Sequence, residues 1–159
     1  MVSMDSVNCI CCEAPEEDVR KAFRFLEKDE IEELCSYLEL REWSADAVIM
    51  HEGSDGDYVG FIIEGKLSVK KQTGLWGKQI ILAILEKGAI VGEGAFIDSG
   101  PRSTTVTAIE PSKMLTLTTM KMNELTANNP EIAVKLMKRM LQITSIRLSK
   151  AVERISKLL

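Results

Sequence analysis

Glu93 and Arg102 are an acid and a base held on one segment that is otherwise small and turn-prone: Gly88-Ala-Ile-Val-Gly92-Glu93-Gly94-Ala95-Phe96-Ile97-Asp98-Ser99-Gly100-Pro101-Arg102-Ser103. Gly92 and Gly94 let backbone come close to a ligand, and a short helical turn starting near Gly94 aims N–H groups at a phosphate. Arg102 follows the rigid Gly100-Pro101 turn, and its planar guanidinium pairs with two phosphate oxygens at once. Glu93 accepts only when ionised, so it suits sugar hydroxyls and not phosphate. An acid and a base spaced this way fit a ribose-phosphate better than a simple anion. The plainer reading is a surface ion pair, which is worth little to stability.

Other chemistry has less support. His51 is the sole histidine; it falls in an expected strand and reads as a satisfied barrel residue. No second histidine and no nucleophile–base pair accompany it, so an enzyme is not expected. The cysteines are Cys9, Cys11, Cys12 and Cys35. With no secretion signal, a disulfide framework is not expected. Cys9, Cys11 and Cys12 lack the two-residue gap of a zinc or iron–sulfur chelate, so no metal is assigned.

The elements that must position Glu93 and Arg102 come in three zones. Residues 1–15 read as a flexible tail, and one domain follows over 16–159. From Pro15 to about Leu40 the spacing of Val19, Phe23 and Leu26, then Ile31, Leu34, Cys35 and Leu38, predicts two helices punctuated by Lys28-Asp29-Glu30. From about 41 to 119 the pattern changes to short strands cut by glycines: Val48–Met50, Tyr58–Ile63, Lys66–Lys70, Gln79–Leu85, Thr104–Ile109 and Met114–Thr118. Residues 120–159 return to helix, with Asn128-Asn129 as a break and Pro130 suited to the first turn of a long last helix. The fold class is therefore α+β: an antiparallel β-barrel with N-terminal helices and a long C-terminal helix.

The net charge of -4 is unevenly spread. From Glu131 onward seven basic residues face two acidic ones, a net of +5 against -9 on the rest of the chain. The balance disfavours DNA as a partner and reads as a solvated helix complementing an acidic body; a docking surface for an acidic partner is the sharper reading. No apolar run spans a bilayer, and no signal peptide stands at Met1, so a cytoplasmic protein without membrane contact is expected. Met137, Leu141, Thr144, Leu148, Ala151, Ile155 and Leu158 keep a four–three spacing, which predicts a homodimer seam. Leu136, Met140 and Ile143 form an adjacent stripe for packing on the barrel. Trp76, in the turn Gly74-Leu75-Trp76-Gly77, reads as a loop cap.

Gly92-Glu93-Gly94-Ala95-Phe96 followed by Pro101-Arg102-Ser103-Thr104-Thr105-Val106 resembles the phosphate-binding cassette of cyclic-nucleotide-binding domains. That family includes the catabolite activator protein and the regulatory subunits of cAMP-dependent protein kinase. Glu52-Gly53-Ser54-Asp55-Gly56-Asp57, Phe61-Ile62-Ile63-Glu64-Gly65 and Gly88 resemble the family's other signatures in the expected order. The resemblance runs from about Phe25 to Leu159 and implies a barrel of the double-stranded β-helix or jelly-roll type. It implies cAMP or cGMP as ligand, with no cofactor. It places Glu93 on the ribose 2′-hydroxyl and Arg102 on the cyclic phosphate, with Gly92 and Ala95 contributing backbone and Ser103 its hydroxyl and N–H.

Gly94 and Phe96 depart from the larger aliphatic and the leucine common in the family, which reshapes the pocket floor. Asp46 replaces a turn glycine, a change that a left-handed aspartate tolerates. For the base, two candidates stay open. Thr144-Ser145 match a Thr-Ser pair locally, whereas an ungapped count from Pro130 brings Arg147 and Leu148 to the same place. Family members that bind DNA carry a further domain beyond the long helix. The chain stops at Leu159, so the expectation is a sensor that acts on a partner protein in trans. Its rivals are a degenerate fold kept as an interaction module and a redox or metal sensor built on the N-terminal cysteines.

Overall fold

The computed structural model describes residues 13–74 and 76–159. Helix α1 (Glu16–Ala22) opens with three acids, Glu16, Glu17 and Asp18, and closes with Arg20 and Lys21, each sign at the end of the helix dipole that favours it. Helix α2 (Lys28–Cys35) starts where a break was expected. Glu30 accepts a hydrogen bond from the Glu27 N–H at 2.9 Å, so Lys28-Asp29-Glu30 form a capped first turn and the break lies before them. Ala14 is already buried in the helical core, so the folded part begins before residue 16. Cys35 is buried and disulfide-bonded, where no disulfide framework was expected. Cys9, Cys11 and Cys12 lie outside the described residues.

Among the described residues eight strands follow: β1 (Glu39–Trp43), β2 (Val48–Met50), β3 (Tyr58–Glu64), β4 (Lys66–Gln72), β5 (Gln79–Glu86), β6 (Ile90–Val91), β7 (Thr105–Ala108) and β8 (Ser112–Thr118). Helix α3 (Glu93–Asp98) interrupts them between β6 and β7. The expected single barrel is corrected to two four-stranded antiparallel sheets, ordered β1-β8-β3-β6 and β2-β7-β4-β5. The edge strands β6 and β2 are two and three residues long, and offer too short a ladder to join the sheets. β1 and β6 carry no apolar alternation strong enough to announce them in the sequence. His51 lies just past β2 in an exposed turn, not in a strand.

The first sheet is covered on both faces. Val59, Phe61 and Ile63 of β3 with Leu115 and Leu117 of β8 face the helices. Ile62 and Met114, on the alternate positions, face Met50, Leu67, Val106 and Ala108 of the second sheet. Successive side chains point to opposite faces, so a central strand buried on both reads as the unbroken apolar run Val59 to Ile63. Phe23 packs its ring 4.7 Å from that of Phe61. Removing the Phe61 side chain would cost about 3–5 kcal/mol.

Helix α4 (Thr119–Asn128) is capped by the Thr118 hydroxyl, which accepts from the Lys121 N–H. Helix α5 (Pro130–Leu158) has proline in its first turn and runs 29 residues, about 44 Å. Its buried residues, Ile132, Ala133, Leu136 and Met140, all lie in the first half. Ile143 still packs on the core; beyond it the helix makes polar contacts through Arg147 and Arg154, and those lead to the site.

Candidate functional site

The two loop signatures meet in space. Gly53 N–H donates to the Arg102 carbonyl at 2.8 Å, and Arg102 N–H donates to the Ser54 carbonyl at 2.7 Å. Asp55 and Pro101 bridge beside them, and the Glu52 N–H donates to the Thr105 hydroxyl at 3.0 Å. Lys71 of β4 spans the Glu52 carboxylate, at 2.5 Å, and the Ser103 carbonyl, at 2.8 Å. The cassette is therefore fixed from three elements before any ligand is considered.

Arg102 is buried. It donates through Nη1 to the Gly92 carbonyl at 3.0 Å and through Nη2 to the Tyr58 carbonyl at 2.6 Å. Its guanidinium lies 4.8 Å from the centroid of the Tyr58 ring, and Arg41 lies at 4.8 Å from the same ring. Burial pulls the Arg102 pKa below its ordinary value, against Tyr58, Asp57 and Glu93, which raise it; an arginine in this position stays charged at neutral pH. Burial pushes the Tyr58 phenol up, with Arg102 and Arg41 pulling it down. Among the described residues, two of the five guanidinium donors are committed to carbonyls. Sequence reasoning missed Tyr58 as part of the site; its only signal was an aromatic at the head of a strand.

Gly92 ends β6 and begins α3 in the left-handed region, at φ 81°. A Cβ there would stand 2.5 Å from Arg102 Nη1 and 2.8 Å from Met50 Cε, so both the turn and the arginine require glycine. At Gly94 a Cβ would meet open space. Ala95 sits against Gly56, where an added Cβ would come within 2.3 Å of its own. Ser103 is exposed, and it is the carbonyl of that residue that is engaged.

Glu93, the first residue of α3, is 7% exposed. Its Oε1 accepts from Arg147 Nη1 at 2.5 Å, and Arg147 Nη2 donates to the Ile90 carbonyl at 2.5 Å. The cation that reaches Glu93 is thus Arg147 of α5. Of the two base-reading candidates, α5 brings Arg147 to the cassette. Thr144 turns its hydroxyl back to the Met140 carbonyl at 3.0 Å, and Leu148 is 64% exposed. Further along α5, Arg154 donates to the Leu82 carbonyl at 3.3 Å. Leu82 is the residue left out of the pairing where the register of β4 and β5 shifts, as at a β-bulge.

Comparison with known proteins gives the same frame. Residues 40–129 match the family model described as cyclic nucleotide-binding domain. The chain is 28% identical over 121 residues to the cAMP-activated global transcriptional regulator CRP of Salmonella typhimurium, covering 72% of this chain and 56% of that protein. The chain thus spans little more than half the length of that relative. A crystal structure of a cyclic nucleotide-binding domain from Methylobacillus flagellatus superposes with a TM-score of 0.83 at 27% identity, covering 90% of this chain and 85% of the other. The catabolite activator protein of Thermus thermophilus superposes with a TM-score of 0.73 at 26% identity, covering 87% and 62%.

Proposed function

The chain belongs to the cyclic nucleotide-binding domain family, and from that premise we propose that it senses a 3′,5′-cyclic mononucleotide, cAMP before cGMP, and reports occupancy through α5 to a partner protein. The observation that carries this reading is the burial of both an arginine, Arg102, and a glutamate, Glu93, on one fixed segment, each held by other partners. Burying both is costly unless each is well partnered, and the loop keeps spare capacity on each. Glu93 has one oxygen beyond the one that Arg147 engages, and that oxygen can accept from the ribose 2′-hydroxyl. Arg102 offers its remaining guanidinium donors to the cyclic phosphate, and the first turn of α3 adds N–H groups that need acceptors outside the helix.

Base contact falls to Arg147 and its neighbours on α5. A guanidinium is planar and stacks on a purine as readily as it pairs with a carboxylate. Relatives described as cAMP-activated favour cAMP as the ligand. Calorimetry of the chain against cAMP, cGMP and cyclic dinucleotides is the test. Saturable heat with one of the mononucleotides supports the reading; no heat and no thermal shift up to millimolar concentrations ends it.

A homodimer through α5 completes the proposal. Met137, Leu141, Leu148, Ile155 and Leu158 are exposed along the last helix, in the four–three spacing that a two-stranded seam uses. Ligand contact at Arg147 and association along Leu141 to Leu158 would then share one rigid element. Occupancy shifts such a helix only insofar as the ligand binds one of its packings better than the other.

A further inference from the structure

On the helical side of the first sheet a cavity of about 430 Å³ lies between α1, the β5–β6 turn and α5. Four cations from these three elements line it: Lys21 and Arg24 from α1 and the turn after it, Lys87 from the β5–β6 turn, and Arg139 from α5. Its floor is apolar, made by Ala22, Ile90 and Ile143. Glu17 pairs with Lys21 at 2.8 Å, and Asp18 pairs closely with Lys87. Among the described residues neither Arg24 nor Arg139 has an ion pair. In a chain with a net charge of -4, two unpaired arginines facing one cavity are an uncompensated local surplus.

We propose that this cavity docks an acidic segment of a partner protein, one that lays an apolar side chain on the floor and carboxylates on the rim. Charge complementarity selects the sign, and the floor selects the class. Lys21 and Lys87 are 59% and 45% exposed in their side chains. Cations so solvated hold a small free anion weakly, because water and salt screen them. A peptide gains most of its affinity from the anchor side chain it buries, and takes orientation and association rate from the charges around it. The cavity also shares two parts with the nucleotide site. Ile90 lines the floor while its carbonyl accepts from Arg147, and Ile143 stands one helical turn before Arg147 on α5. A partner seated here touches the element that carries the Glu93 contact. The docking site itself stands without any nucleotide being bound.

The test begins by panning a random heptapeptide library against the full chain, then measuring synthetic hits by fluorescence anisotropy. The expected hits carry acidic residues around one apolar residue, and their affinity falls as salt is raised. Arg24→Glu combined with Arg139→Glu should weaken them at least fivefold, with the melting midpoint unchanged. Should the reversal perturb folding, Arg24→Gln with Arg139→Gln gives the same comparison more gently. Hits without acidic residues, or hits bound equally by either double variant, overturn the proposal. Displacement of the hits by micromolar pyrophosphate also overturns it, in favour of a small-anion site. Calorimetry of the same variants with cAMP keeps this outcome separate from that of the nucleotide reading, because neither arginine touches the cassette.

Discussion

Arg147 of α5 donates to the carboxylate of Glu93 at 2.5 Å and, through its other terminal nitrogen, to the Ile90 carbonyl at 2.5 Å. One side chain from the last helix thus closes on α3 and on β6 together. No residue of α5 beyond Met140 is buried, so the second half of the helix rests on polar ties of this kind. Arg147→Ala should loosen that half more than it destabilises the domain. A charge-assisted contact on a side chain that is 36% exposed is worth about 1 kcal/mol after solvent screening. Hydrogen exchange should quicken in residues 144–158 and stay slow in β3 and β8. Equal exchange rates in variant and wild type would show that the tie does not hold the helix.

Arg102→Ala should weaken cyclic-nucleotide binding at least tenfold. The lost contact is bidentate, charged and partly shielded from water, worth about 2–5 kcal/mol, at about 1.4 kcal/mol per decade of affinity. The variant should also melt lower, since the carbonyls of Gly92 and Tyr58 lose their donor. Arg102→Lys separates charge from geometry: it keeps the cation but not the fork, and should recover only part of the affinity. Calorimetry on folded protein decides both, and full affinity in Arg102→Ala would move the phosphate elsewhere.

The two glycines that flank Glu93 should answer oppositely. Gly92→Ala puts a Cβ into Arg102 and Met50 at a left-handed φ, with a cost of about 1–3 kcal/mol and weaker ligand binding. Gly94→Ala enters open space inside α3 and should be neutral or stabilising, by up to about 1 kcal/mol. Thermal melts of the pair check this; similar losses in both would show that neither the left-handed turn nor the arginine contact sets Gly92 apart.

Much of this was legible because local chemistry and tertiary role coincide. Gly92, Glu93, Pro101 and Arg102 are unusual together whatever their surroundings, and the run Val59 to Ile63 states its own double burial. What stayed hidden depends on distant partners. β6 is two residues long and exists only because β3 offers it a ladder. Tyr58 joins the site only because Arg102 arrives from 44 positions away. The split into two sheets is likewise a matter of pairing between strands, which alternation within a strand cannot report. At α5 the ungapped count from Pro130 put Arg147 and Leu148 in place of Thr144 and Ser145, because a continuous helix cannot absorb three residues cheaply; the fold brings Arg147 to Glu93 and leaves Leu148 exposed.

Leu141, Leu148 and Ile155 recur every seven residues and are 58%, 64% and 59% exposed. In a dimer seam each would be buried against its counterpart, contributing about 1.5–3 kcal/mol per side chain. Thr144 sits within the stripe with its hydroxyl satisfied by the Met140 carbonyl, so it costs the seam packing and not an unpaired polar group. Leu148→Lys removes the central apolar contact and sets two like charges against each other. It should convert a dimer into a monomer while leaving the melting transition of the isolated domain in place, because Leu148 packs on nothing in its own core. Sedimentation velocity over a range of concentrations, with and without cAMP, reads both states. A wild-type chain that stays monomeric at the highest concentration in both conditions removes the seam, and with it the route by which a ligand at Arg147 would reach a second subunit.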